Sequence, residues 1–271
     1  RVRPISLGYC RRKGPLKHDD RRQEAIAPLF MWGCLLCGSD VRYWRTFIKV
    51  SERRSPMRKA HNIFEPKASR VLRALLVNPN HEWTLRGLAG DVDISLGYLH
   101  AVVSSLLEFG YVGWTEDRHL KAVDPKRLLR RWAAYNQYDK MNQFREYYTF
   151  EREVDRFVRR LVPAKRVNYA LTALAGVLLV APHVRPADVH IYAKEPKDVR
   201  RLVELLDLKP MERGGNVKLV TPYDDGVFYH LQVIDGVNVV SSVQLYVDLY
   251  NYPARGEEAA GPLLDRILDE W

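Results

Sequence analysis

Between residues 84 and 121 the chain sets out hydroxyls, a phenol, an imidazole and a few cations at spacings that suit hydrogen bonding to nucleic acid. Ser95, Gly97, Tyr98, His100, Ala101 and Ser104 fall on what helical periodicity makes the open side of one helix. Such a face can meet base edges in a major groove, where the four base pairs are distinguishable. Arg86, Arg118, His119 and Lys121 flank it and suit phosphates, which position a protein on the duplex. The helix itself carries no Arg or Lys, so the commonest guanine contact is missing from that face. Base readout would rest on Tyr98, His100 and the serines. Affinity would come from the neighbouring cations, because phosphate contacts supply much of it.

Other reactive residue types are sparser. Cys34-Leu-Leu-Cys37 has the spacing of half a zinc site, and Cys10 and His18 are the nearby candidates for two further ligands, at an unfamiliar spacing. Reduced buried thiols are the default for such cysteines, so no metal is assigned. Asp224 and Asp225 precede Gly226, where aspartates commonly bond the backbone of a turn. No nucleophile and base stand at a telling spacing, and no cofactor is implied.

The elements that must position the reading residues are legible around them. Residues 67–78 put Val71, Leu72, Leu75 and Leu76 at helical spacing and stop at Asn78-Pro79. Thr84 caps a short second helix carrying Leu85, Leu88 and Ala89, which Gly90 breaks. Ser95 caps a third, with Leu99, Val102, Val103, Leu106 and Leu107 on one face, ending at Gly110. Residues 111–114 and 119–123 are strand-like and flank a turn at 115–118, so they predict a hairpin. Three helices and a hairpin make a winged helix-turn-helix, the hairpin being the wing. The same module also serves in protein contact, which remains the alternative.

The chain has 271 residues, is 46% hydrophobic and carries a formal charge of +10. That charge is uneven: 17 basic and 6 acidic residues fall in 1–70, 9 and 8 in 71–140, and 17 and 19 in 141–271. The basic excess lies ahead of the predicted winged helix. It reads either as an arm that adds sequence-independent phosphate contacts or as a solvated tail. The apolar run at 26–37 is too short and too interrupted to span a bilayer, and the order of a signal peptide is missing. A cytoplasmic protein without membrane contact is expected.

Asp124-Pro125 opens a helix to about Tyr138, with Lys126, Arg127, Arg130 and Arg131 along it and Leu128, Leu129 and Trp132 inward. Residues 135–150, rich in Tyr, Asn and Gln, read as a connector. Beyond them helices are expected at 151–162, 172–180, 196–206, 243–250 and 257–268. Strands are expected at 167–170, 189–193, 209–213, 217–221, 226–231 and 232–240, the last with an Asp-Gly turn. The class is α+β. Tyr246, Tyr250, Tyr252 and Arg255 read as core and packing residues.

The stretch Asn62-Ile-Phe-Glu-Pro-Lys-Ala-Ser-Arg-Val-Leu-Arg-Ala-Leu-Leu76, followed by Trp83-Thr-Leu-Arg-Gly-Leu-Ala89 and Ser95-Leu-Gly97, resembles the winged helix of AbiEi-type antitoxins. Tyr169-Ala-Leu-Thr-Ala-Leu-Ala175, Val184-Arg-Pro186, Tyr223-Asp-Asp-Gly-Val-Phe-Tyr229 and the segment from Val243 to Ala259 are similar to blocks of that family's C-terminal domain. The resemblance covers about residues 61–271. It implies a transcriptional regulator of a type IV toxin–antitoxin system that binds double-stranded operator DNA and counters a toxin. It also implies a C-terminal domain of nucleotidyltransferase-like fold. The domains expected are a basic extension over 1–60, a winged helix-turn-helix over 61–140, and a degenerate nucleotidyltransferase-like domain over 141–271.

Within that resemblance, a working nucleotidyltransferase needs a Gly-Ser turn and an Asp-x-Asp pair that holds magnesium. Here the turn reads Ala170-Leu-Thr-Ala173 and the pair reads Asp188-Val-His190. Imidazole is a poor magnesium ligand and one carboxylate is gone, so the expectation is no enzyme. Asp188 and His190 are then expected to be a strand-end carboxylate and a histidine on a solvent-facing or domain-facing side. The alternative is a metal-dependent nucleotidyltransferase acting on protein or RNA, with Asp188 as a surviving ligand.

Overall fold

The computed structural model describes residues 61–253 and 255–271. Cys10, His18, Cys34, Cys37 and the basic extension over 1–60 lie outside the described residues. The first three helices form where capping and periodicity place them. Helix α1 (Ser69–Val77) buries Val71, Leu72, Leu75 and Leu76. Helix α2 (Leu85–Asp91) starts where the Thr84 hydroxyl accepts from the Gly87 amide, and it runs one residue past Gly90. Helix α3 (Leu96–Glu108) starts where the Ser95 hydroxyl accepts from the Tyr98 amide. Strands β1 (Val112–Trp114) and β2 (Leu120–Ala122) pair antiparallel, Val112 facing Ala122. Trp83 adds a bridge to Leu120, which ties the segment before α2 to the hairpin.

Helix α4 (Pro125–Tyr135) begins at an Asp124 cap with proline in its first turn, and a single turn, α5 (Tyr138–Met141), follows. The remaining chain builds one mixed sheet, giving an α+β protein. Its strands are β3 (Gln143–Tyr148), β4 (Tyr169–Thr172), β5 (Val189–Ala193), β6 (Lys209–Met211), β7 (Val217–Thr221), β8 (Gln232–Ile234) and β9 (Val237–Val239), in the order β6-β3-β7-β5-β4-β9-β8. Helices α6 (Val154–Arg159), α7 (Ala173–Val180), α8 (Pro196–Leu206), α9 (Ser242–Tyr250) and α10 (Gly256–Glu270) complete it. Register aligns Thr172, His190, Lys218 and Glu146 in one row across β4, β5, β7 and β3. Because side chains alternate along a strand, this row shares a face with the neighbouring row Ala170, Tyr192, Val220 and Phe144.

Four expectations are corrected. Residues 135–150 are not only a connector, since β3 lies inside the sheet between β6 and β7. Its partners come from residues 209–221, a pairing invisible to local pattern. Residues 226–231 are not a strand: Asp225–Phe228 is one turn of 3-10 helix, held because Asp224 Oδ1 accepts from the Gly226 amide at 2.7 Å. The helix expected at 151–162 is shorter, and the strand expected at 167–170 sits two residues later. The hairpin β8–β9 turns at Asp235-Gly236, both at positive φ, as an Asp-Gly two-residue loop requires.

Helix α9 is the pivot of the packing. It lies against α1, α4, α7 and α10 and buries every residue from Val243 to Leu249. The helical segment and the sheet therefore share one continuous hydrophobic core.

Candidate nucleic-acid interface

Helix α3 buries Leu99, Val102, Val103 and Leu106. At 100° per residue the stripe opposite that buried face is Gly97, Ala101, Ser104 and Glu108, all exposed. Gly97 has open space where a Cβ would stand. The Ser104 hydroxyl donates back to the His100 carbonyl at 2.7 Å, and His100 itself is exposed on the flank. The Ser95 hydroxyl is engaged in the cap, at 3.3 Å from the Tyr98 amide. Glu108 was not foreseen. It stands on the outward stripe, where its charge repels phosphate, and its place four residues beyond Ser104 was the available signal.

Tyr98 points elsewhere. Its hydroxyl donates to Glu65 Oε1 at 2.7 Å, and His61 Nε2 lies 2.7 Å from the same oxygen. The His61 ring meets the Tyr98 ring edge-on at 4.9 Å, and Lys67 Nζ stands 5.4 Å from the Tyr98 ring centroid. Burial, then the Glu65 carboxylate, hold the phenol far above its ordinary range, so it keeps its proton. The His61 amide donates to Ser105 Oγ, which fixes the segment before α1 along the side of α3.

The cations divide into two kinds. Arg86, on α2, and Arg118, at the hairpin tip, are exposed and have no ion-pair partner among the described residues. Arg118 adopts a φ of 61°, uncommon for a residue with a side chain, and its amide closes the turn onto the Thr115 carbonyl. His119 and Lys121 instead share Glu82, at 4.0 and 3.9 Å. On α4, Arg127 is occupied by the Phe109 carbonyl at 2.6 Å and by the Tyr111 ring at 4.8 Å. Lys126, Arg130 and Arg131 on the same helix are exposed.

Buried polar contacts bind this segment to the sheet, and sequence reasoning missed them. Arg73 on α1 has no exposed surface. Its guanidinium donates to Gln244 Oε1 at 2.7 Å, Ser69 Oγ at 2.6 Å and Tyr223 Oη at 2.6 Å. Gln244 Nε2 passes the contact to Asp248 Oδ1 at 2.7 Å, and Asp248 Oδ2 accepts from Thr172 at 2.6 Å and Tyr192 at 3.1 Å. Arg70 grips Asp224 at 2.9 Å, and the Tyr229 hydroxyl donates to Asp91 at 2.6 Å. The available signal was polar residues inside apolar helices: Arg73 between Leu72 and Ala74, and Gln244 and Asp248 four apart.

The second candidate cluster lies where Asp188 and His190 were expected on a solvent-facing or domain-facing side. His190 is 1% exposed and faces Tyr138 of the 61–140 segment, with Tyr252 beside it, so the domain-facing side is the one it takes. Its Nδ1 meets the Tyr138 hydroxyl at 2.9 Å and its Nε2 meets Asp188 Oδ2 at 3.1 Å. Lys218 Nζ reaches the same Asp188 oxygen at 2.9 Å, and the Tyr252 hydroxyl donates to Oδ1 at 3.2 Å. Burial alone would raise the Asp188 carboxyl; His190 and Lys218 outweigh it and hold the group well below the usual carboxylate range. Asp224 and Asp225 serve the turn and pair with Arg70 and Lys194. Tyr246 is core, whereas Tyr250 is 40% exposed and Arg255 is a surface residue paired with Glu258. The described residues include no group of three or more His, Cys, Asp or Glu placed to hold a metal, and no helix long and apolar enough to cross a membrane.

A family model described as transcriptional regulator, AbiEi antitoxin of a type IV toxin–antitoxin system, matches residues 121–269, from β2 through α10. No curated protein and no solved structure matches the chain significantly. The matched region is more than half of the sequence and contains the sheet, the Asp188 cluster and the Gln244–Asp248 helix. The chain therefore belongs to the AbiEi antitoxin family, transcriptional regulators of type IV toxin–antitoxin systems.

Proposed function

We propose that this chain is a DNA-binding regulator whose residues 61–140 act as a winged helix-turn-helix. On this reading α3 faces the major groove of an operator and the β1–β2 hairpin is the wing. The observation that carries it is the pairing of a capped, outward-facing α3 with two exposed arginines, Arg86 and Arg118, that have no ion-pair partner among the described residues, on the elements beside it. His100, Ser104, Ser95 and Gly97 face the bases, Arg86 and Arg118 hold phosphates, and His119 and Lys121 do so once Glu82 yields them. Tyr98 supports α3 from the side rather than reading bases. The remaining residues, 141–271, are the part that answers a toxin.

The second domain is read as nucleotidyltransferase-like and catalytically silent. A divalent cation needs hard, anionic oxygens. Among the described residues Asp188 is the carboxylate that His190 and Lys218 contact, and the ammonium of Lys218 already neutralises it. Ala173, at φ 50° where the chain turns from β4 into α7, holds a conformation that glycine adopts without strain. Metal-dependent transfer through Asp188 would have to displace Lys218 first.

The test is titration of a labelled upstream fragment at low and at moderate salt. Affinity should fall with salt, and Arg86→Ala with Arg118→Ala should weaken binding on every sequence and reduce the salt slope by about two. Absence of binding at low salt, or a double variant that binds like the parent, overturns the reading.

A further inference from the structure

Arg73, Gln244 and Asp248 are all fully buried and come from two helices on opposite sides of the helix–sheet junction. The relay they form has a fixed polarity. A guanidinium can only donate and an ionised carboxylate can only accept, so the Gln244 amide must turn its oxygen to Arg73 and its nitrogen to Asp248. That arrangement is strongest while Asp248 is ionised, when both carboxylate oxygens accept and carry the charge. A protonated carboxyl carries its own hydrogen, weakens its acceptance from Gln244, and leaves the buried Arg73 without the countercharge that the relay supplies.

The carboxyl is surrounded on every side. Thr172 faces it from β4, Tyr192 from β5, Gln244 from its own helix and Arg73 from α1. The Tyr138 and Tyr223 phenols are near enough to feel its charge. Burial pushes the group up to about 6, against the hydrogen bonds of Thr172, Gln244 and Tyr192 and the charge of Arg73. Arg73 thus favours the ionised form. By reciprocity the ionised form strengthens the hold on Arg73. Helix α1 packs against both α4 and the hairpin, so its seat also sets where α3 and Arg118 stand.

We propose that proton uptake by Asp248 loosens the seat of α1 through the Gln244 amide, and so makes operator affinity depend on pH. This rests on the DNA-reading function above. The decisive comparison is the ratio of operator affinities of the parent and Asp248→Asn, measured at about pH 7.5 and about pH 5, because every other effect of pH acts on both proteins and cancels. The parent should bind about fivefold more tightly at the higher pH and about equally at the lower. An unchanging ratio, with binding intact, overturns the coupling and leaves the DNA reading standing.

A measurement on the parent protein alone covers failure of the variant to fold or of the DNA to bind. The Asp248 carboxyl, the Gln244 side-chain amide and Arg73 Nε are followed by NMR across the same range. A shared midpoint supports the relay, and an Arg73 resonance that stays flat while Asp248 titrates overturns it.

Discussion

Arg73 and Asp248 face each other across the junction of helix and sheet with a single glutamine between them, and neither has any exposed surface. Two buried opposite charges bridged by a neutral amide are weak evidence for stability, because desolvation of both charges offsets their attraction. Removing one partner is a different matter, since it strands the other. Arg73→Met should therefore destabilise the protein by about 3 kcal/mol, read as a lower denaturant midpoint at unchanged slope. A change within about 0.5 kcal/mol would show that Asp248 is already neutral in the folded state.

The same carboxyl sets a pH dependence of stability. Its folded-state value, about 6, lies above the ordinary 3.8, so the folded protein binds more protons than the unfolded chain between those values. Stability from this group must rise as pH falls from above 6 towards 4, by on the order of 3 kcal/mol. Asp248→Asn should flatten that part of the curve. Thermal unfolding of both proteins at closely spaced pH checks it, and a parent curve that falls steadily on acidification from pH 7 would contradict the assignment.

The Asp188 cluster runs the opposite way. Its carboxyl is depressed, so it contributes stability at neutral pH that is lost as pH falls through its folded value, below the ordinary 3.8. Lys218→Met removes one of the two partners responsible and lifts the carboxyl towards its ordinary range. Acid unfolding of the variant should start at higher pH than in the parent, with a loss of about 1 kcal/mol at neutrality for a half-buried pair. Coincident acid limbs would mean that His190 alone carries the effect.

Local chemistry made much of this fold legible. The caps at Thr84, Ser95 and Asp124 and the Asp235-Gly236 turn are written within four residues of where they act, and they stand where expected. Strand β3 escaped because its ladder partners lie far along the chain. Helical periodicity makes the exposure of Gly97, His100, Ala101 and Ser104 on α3 legible. For Tyr98, helical spacing fixes the side chain's angular position but not the Glu65 that engages its hydroxyl. The Arg73 relay was equally hidden, since its two helices meet only in three dimensions.

Tyr98 permits a separation of support from readout. Losing its hydroxyl leaves Glu65 with His61 and solvent, so Tyr98→Phe should cost about 1 kcal/mol of stability. It should not change which bases the operator prefers, because the ring faces residues 61–67 rather than the outward stripe. His100→Ala should do the reverse: little effect on stability at an exposed site, and relaxed preference at one base step by roughly 1 kcal/mol. Selection of bound sequences from a randomised operator, run on both variants alongside thermal unfolding, separates the two roles. If Tyr98→Phe shifts the selected bases while His100→Ala does not, the phenol leaves Glu65 on binding DNA and α3 reads from its other flank.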